Sequence, residues 1–215
     1  MDADHADLPL PAHRQAFSDL VGELRHPEAA GAAGASALIA AVAAGLAAKV
    51  AGLTAGREGF EAVTEEMLRV ANRASQLGAQ LAQQVDWDPQ AQLRLTQAFH
   101  LPQTTPDESE IRRSCMDLAL KNAVTVPINI AQSAMEVLGL AETVSRYGNP
   151  GAGAEAGLAM AIAIAAVKGA MAAATGALKA VTDDEWSEQA REQMARMLEK
   201  VMELEGELAE LPLTV

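Results

Sequence analysis

Two long stretches built almost wholly from alanine and other apolar residues constrain this chain more than anything else in it. Gly34 to Leu53 and Ala156 to Val181 have almost no polar face. Alanine is the best helix former, and its small side chain lets helix backbones approach closely. A helix that is apolar all round is buried, in a core or an oligomer seam, or it spans a bilayer. Both stretches are long enough to span. Alanine and glycine insert weakly, however, and Lys49, Glu155, Lys168 and Lys179 interrupt or flank the runs. Buried soluble helices are therefore expected, with no membrane partner. The 50% hydrophobic content includes only 3% aromatics, and no alternating β-branched run reads as a strand. The expected fold class is all-α, a bundle of long helices with the two Ala-rich helices at its centre.

A chain of 215 residues can bury a proper core. Residues 1–10 read as a mobile tail and 11–215 as a single helical domain. The net charge of -13 repels nucleic acid and anionic membranes, and no basic run offsets it. The lone Cys115 rules out an intramolecular disulfide or a cysteine zinc cluster. It suits a reducing cytoplasm, and its helical setting predicts a small buried hydrophobe. The acidic N-terminus has no apolar core of the signal-peptide kind. His5, His13, His26 and His100 show no metal-ligand spacing, so no metal is expected, and with no Walker loop and no G-x-G-x-x-G after a strand no bound cofactor is expected either.

The rest of the chain divides at strong punctuation. Pro11 to Arg25 is a helix with Phe17, Leu20, Val21 and Leu24 on one face, stopped at His26-Pro27. Gly31 and Gly34 then open the first Ala-rich helix. Its free N–H groups can meet an anion, or the glycines can simply make a flexible helix start. An amphipathic helix is expected from about Arg57 to Val85. Asp88 before Pro89 reads as a helix N-cap with proline at the first position. That helix puts Asp88, Gln92, Leu95 and Phe99 on one stripe and stops at Leu101-Pro102. Thr105, Pro106 and Glu108 form a capping box. Pro127 is expected to kink or break the following helix, with a second segment from about Ile128 to Tyr147. Gly148 to Gly151 is a turn. A further capping box at Thr182 to Glu185 opens a last helix whose stripe includes Trp186, Ala190, Met194, Val201 and Leu204, spaced for a bundle or dimer seam.

Asp88, Leu101-Pro102, Arg112, Val126-Pro127 and the GNP of 148–150, laid in order, give the chain a resemblance. It resembles the formiminotransferase-cyclodeaminase C-terminal family, which includes formiminotetrahydrofolate cyclodeaminases and stand-alone bacterial methenyltetrahydrofolate cyclohydrolases. The resemblance runs from about Phe17 to the final helix. A glycine turn opens the family's Ala-rich helix, as AGAAG does at 30–34, and KVAGLT at 49–54 closes it. Asp88, Ala91, Leu101, Pro102, Thr105, Glu108 and Arg112 keep the framework that follows. The departures concern polar positions. The family's PGGGS is reduced to AGAAG, the lysine of its LPK is Gln103, and the aromatic after its D-x-x-A is Gln92. Its SDAG is AEAG, with Glu155 in place of the aspartate. Its late asparagines correspond to the segment with Ala173, Ala174, Gly176 and Ala177.

The resemblance implies a homodimer and a reaction at a C–N bond of a small, cyclic substrate, by default a tetrahydrofolate one-carbon derivative. It implies Asp88 as acid/base group and Gln103 as the residue that positions substrate. Chemistry of this kind uses paired groups able to move protons, and glutamine, unlike lysine, is neither a cation nor a ready proton donor. Gly31, Gly34, Ser36, Gln92, His100 and Glu155 are the candidate substrate contacts. Two alternatives stay open. The scaffold serves another ring closure, ring opening or elimination on a non-folate substrate, or it binds a ligand without catalysis. For Asp88, helix capping and catalysis are both open readings.

Overall fold

The computed structural model describes residues 31–210, together with Gly22 and Arg25. The expected tail at 1–10, the helix at 11–25 apart from Gly22 and Arg25, and His5, His13 and His26 lie outside the described residues. The described residues form helices joined by short turns, with no strand among them. We label the helices α1 (Ala32–Thr54), α2 (Thr64–Gln84), α3 (Trp87–Phe99), α4 (Pro106–Tyr147), α5 (Gly153–Leu178) and α6 (Asp184–Glu210).

The Ala-rich helices are α1 and α5, and they pack on one another, as their composition requires. A Cβ on Gly169 of α5 would stand 2.5 Å from the Ser36 hydroxyl of α1, while Lys49 of α1 reaches Glu155 of α5 at 2.8 Å. The two helices therefore run antiparallel. Ala40, Ala43, Ala44 and Ala47 of α1 and Ala159, Ala163, Ala166 and Ala170 of α5 are sealed in the core. α2 packs closely on α1 at Gly78, where a Cβ would make an ordinary van der Waals contact with Ala44 at 3.6 Å.

The end of this bundle is locked by two sequence motifs that fit each other. Thr54, at the end of α1, accepts a 2.8 Å hydrogen bond from the Asn149 backbone N–H. Asn149 in turn folds its side chain onto the Gly151 N–H. A Cβ on Gly148 would strike the Val144 carbonyl and Val50, so only glycine lets α4 turn here so close to α1.

Several expectations need correction. Pro127 does not break its helix, because α4 runs unbroken from Pro106 to Tyr147. Burial of Val126, Pro127 and Ile128 against the bundle outweighs the lost backbone bond. Residues 57–60 form turns and Glu61–Val63 a single 3-10 turn, rather than the start of α2, since Gly56 and Gly59 take left-handed φ values of 72° and 86°. Asp183, not Thr182, caps α6, accepting from the Trp186 N–H at 3.0 Å. The capping box of Thr105 and Glu108 is present, and the predicted stripe on α6 is the face that packs inward, with Val201 and Leu204 fully buried.

α4 has 42 residues, which makes it about 63 Å long. Its second half lies in the bundle, and its first half projects past the Gly31 end of α1. α3 returns along that projection, with Phe99 beside Arg112 and Trp87 beside Ser133. The result is a two-helix arm. Cys115 sits on it and is exposed, not buried as expected, because the arm offers it no third helix. Among the described residues, three helices, α1, α4 and the segment 150–178, are long and apolar enough to cross a membrane by length and composition.

Candidate active site

The first turn of α3 meets the first turn of α1. The Asp88 carboxylate accepts from the Gly34 N–H at 3.4 Å. A Cβ on Gly31 would stand 2.8 Å from Asp88 Oδ2, so the missing side chain is what admits the carboxylate. Asp86, not Asp88, occupies the N-cap position of α3. Asp88 therefore does not cap its own helix. Its carboxylate faces the N-terminus of another helix, whose free N–H groups and positive dipole end hold a negative charge there.

The antiparallel register of α1 and α5 brings a further segment to this end. With Ser36 at Gly169, the residues one to two turns later on α5 lie level with the Gly31–Gly34 turn. These include Ala173, Ala174 and Ala177. Ala174 is fully buried. The segment where the resemblance points to lost asparagines is thus small and apolar, and it lies level with the glycine turn that Asp88 touches.

The other expected site residues lie elsewhere in the protomer. Ser36 is buried, its hydroxyl donating to the Ala32 carbonyl at 2.7 Å, so it serves its own helix, and Gly169 makes room for it. Gln92 is exposed on α3. The buried residues of α3 are Ala91 and Ala98, and the expected stripe through Gln92 and Phe99 is turned toward solvent. Gln103 and His100 lie past the far end of α3, about 18 Å from Asp88 along the helix. Gln103 Oε1 accepts from Arg112 Nη1 at 2.5 Å. Arg112 also donates to the Phe99 carbonyl and lies over the Phe99 ring. His100 Nδ1 lies 2.7 Å from the Thr96 carbonyl, and the ring borders a cavity of about 270 Å³ with Leu95 and Met116. Glu155 is at the opposite end of α1, about 27 Å from Gly31 along the helix. Its bond to the Lys49 ammonium, followed by a hydrogen bond from its own backbone, lowers its pKa.

One protomer therefore assembles Asp88, Gly31 and Gly34, and keeps Gln103, His100 and Glu155 apart from them. The contact between Asp88 and Gly31 was not legible in the sequence, because it spans 57 positions and neither residue alone requires it. Arg112 is the residue whose role was underrated. It fixes Gln103, and its place one turn after a capping-box glutamate was the available signal. Among the described residues, no group of three His, Cys, Asp or Glu side chains comes together.

Comparison with known proteins converges with this geometry. Residues 16–196 match the profile of the formiminotransferase-cyclodeaminase family. A methenyltetrahydrofolate cyclohydrolase from Methylorubrum extorquens is 30% identical over 180 residues, covering 84% of this chain and 82% of that protein. A formimidoyltransferase-cyclodeaminase from Rattus norvegicus is 29% identical over 191 residues, and the chain spans only 35% of that longer protein. The crystal structure of formiminotetrahydrofolate cyclodeaminase from Thermotoga maritima superposes with a TM-score of 0.78 over 95% of this chain and 94% of that one, at 20% identity, so the fold is shared. The all-α fold and the profile match over most of its length place this chain in the formiminotransferase-cyclodeaminase family, a family of enzymes.

Proposed function

We propose that this protein is a cytoplasmic enzyme that adds or removes water or an amine at a C–N bond of a small cyclic substrate, with a tetrahydrofolate one-carbon derivative as the default. The observation that carries the reading is the Asp88 carboxylate, which turns away from its own helix cap to face the Gly31–Gly34 turn. There it can take a proton from an attacking nucleophile and return it to the departing nitrogen. The glycine turn, with backbone N–H groups and no side chain at Gly31, gives the substrate close access to that carboxylate.

The distances also support an assembly of two copies. Gln103 and Arg112 lie on the arm, too far from Asp88 to act with it on the same C–N bond in one protomer. Ile39, Val42 and Leu53 of α1 and Leu158 of α5 are exposed, which gives the Ala-rich pair an uncovered apolar face. A homodimer that covers this face can bring one copy's arm, with Gln103 as positioning residue, to the other copy's Asp88. The small apolar segment around Ala173 and Ala177 favours a less polar substrate as the second reading.

The test is a titration with 5-formyltetrahydrofolate and a cyclohydrolase assay on the wild type, Asp88→Asn and Gln103→Lys. Micromolar binding, tightened by Gln103→Lys, is expected. Asp88→Asn should lower turnover by about 10²- to 10⁴-fold, the range for a lost acid/base group, with melting unchanged. Absence of binding at millimolar folate sinks the folate reading and leaves the less polar substrate. A monomer by light scattering sinks the shared site.

A further inference from the structure

A polar groove beside the first turn of α3 is not used by the reading above. Asp88 turns to the glycine turn, whereas Trp87, the residue before it, lines a separate cleft across α2 and α4. This cleft, of about 330 Å³, shares Asn129 and Gln132 with a second one of about 240 Å³ between α4 and α6. Trp186 lines the second cleft. The chain's two tryptophans thus stand one in each of two clefts that share Asn129 and Gln132 of α4.

The groove's polar lining is made mostly of carboxamides. Gln80 and Gln84 come from α2, Asn129 and Gln132 from α4, and Gln189 and Gln193 from α6. Among the described residues its one cation, Arg73, is hydrogen-bonded through both Nε and Nη2 to Glu136, so those residues offer no unpaired charge. Gln84 is 1% exposed. Its Nε2 donates to the Ser133 hydroxyl at 3.1 Å, while its Oε1, buried at the groove, has no partner. Buried acceptors of this kind are rare and call for a partner. Among the described residues, the side-chain amides of Asn129, Gln132, Gln189 and Gln193 make no protein hydrogen bond. The Lys121 ammonium lies 6.0 Å from the Trp186 ring centre, and Asp117 and Asp183 pair with that ammonium.

A carboxamide presents a donor and an acceptor side by side in one plane. That matches the edge of a heterocycle with an amino group next to a ring nitrogen, as when Asn or Gln meets adenine. An indole supplies a stacking face for the same ring. We propose that the paired clefts bind a neutral nucleobase-type heterocycle, as base or nucleoside, through the Asn129 and Gln132 they share, with the indole of the occupied cleft, Trp87 or Trp186, as its stacking face. The lack of an unpaired cation disfavours a phosphorylated form.

Intrinsic fluorescence of the full chain reads the groove directly, because both tryptophans lie in it. Titration with adenosine, guanosine and cytidine should give saturable quenching with at least one of them, and weaker binding of the corresponding monophosphate. Asn129→Ala and Gln132→Ala should each weaken binding about three- to tenfold, the worth of one hydrogen bond, with unchanged thermal melting. Asp88→Asn should leave it unaltered, which separates this groove from the proposed reaction. Three results would overturn the proposal: no saturable response at millimolar nucleoside, saturable quenching by methyl glucoside instead, or nucleoside affinity indifferent to both amide substitutions.

Discussion

The two halves of α4 share one continuous helix and very different surroundings. From Ala123 onward nearly every turn is sealed, with Val124, Ile130, Ala131, Ala134, Val137 and Leu138 in the core. Before it, Ala119 alone is buried, and Leu118 is 71% exposed. Phe99 of the facing α3 is 60% exposed. The bundle half holds the fold, and the arm half holds Gln103 and Arg112. Helical structure is thus no guide to where stability resides. The arm stays helical through its capping box and its pairing with α3, while most of its apolar surface is left uncovered.

The sharpest way to break this contrast is substitution on either side of it. Ala131→Leu adds volume where α4 packs into the core and should cost about 1–3 kcal/mol, the usual range for overpacking. Leu118→Ala, on the arm, should stay within about 0.5 kcal/mol in a dilute protomer, as surface changes do. Urea midpoints measure both. Comparable losses at the two positions would mean that the arm is packed against something in solution, and the concentration dependence of the Leu118→Ala midpoint would then identify a second copy.

The same contrast explains what could be read from the sequence. The Ala-rich helices, the GNP turn and the Thr105 capping box were legible because local chemistry dictates them. Pro127 misled because its penalty is local and the burial that overrides it is not. Cys115 and the α3 stripe misled because periodicity reveals an apolar face without revealing whether a neighbour covers it. The pairing of Asp88 with Gly31 depends on how α3 returns to α1, which no pattern within either segment encodes. Asp88 looked like a cap because it precedes Pro89, yet the helix starts a residue earlier at Trp87.

A milder probe asks how far the arm depends on its own cap. Thr105 accepts from the Glu108 N–H, and Glu108 accepts from the N–H groups of Thr104 and Thr105. Thr105→Ala should cost about 1 kcal/mol, typical of a lost N-cap. Amide hydrogen exchange should localise the loss to residues 105–112 and leave residues 128–144 of the same helix protected. Uniform loosening of all of α4 would erase the distinction between its halves.

The smallest expected effect is electrostatic, and it separates the two regions by salt. In the arm, hydrogen bonds from the Thr105 and Thr104 backbones lower the Glu108 pKa. In the bundle, the Lys49 ammonium is the first cause of the lowered pKa of Glu155. Both folded values lie below the ordinary 4.5. Each contribution is therefore present above that value and is lost as pH falls through the lower folded one. Lys121 moves the other way, raised above 10.5 chiefly by Asp183 and then by Asp117, so its contribution persists below 10.5 and fades only as pH rises through the higher folded value. Salt screens the exposed pair of Lys49 and Glu155, whereas short hydrogen bonds from backbone N–H groups to Glu108 feel it much less. Hydrogen exchange followed from about pH 6 to about pH 3, in low and in high salt, should show acid loosening at the start of α4 under both conditions and at the start of α5 in low salt alone. Equal salt sensitivity at the two sites would mean that Glu108 acts as a charge near the helix dipole and not as a hydrogen-bonded cap.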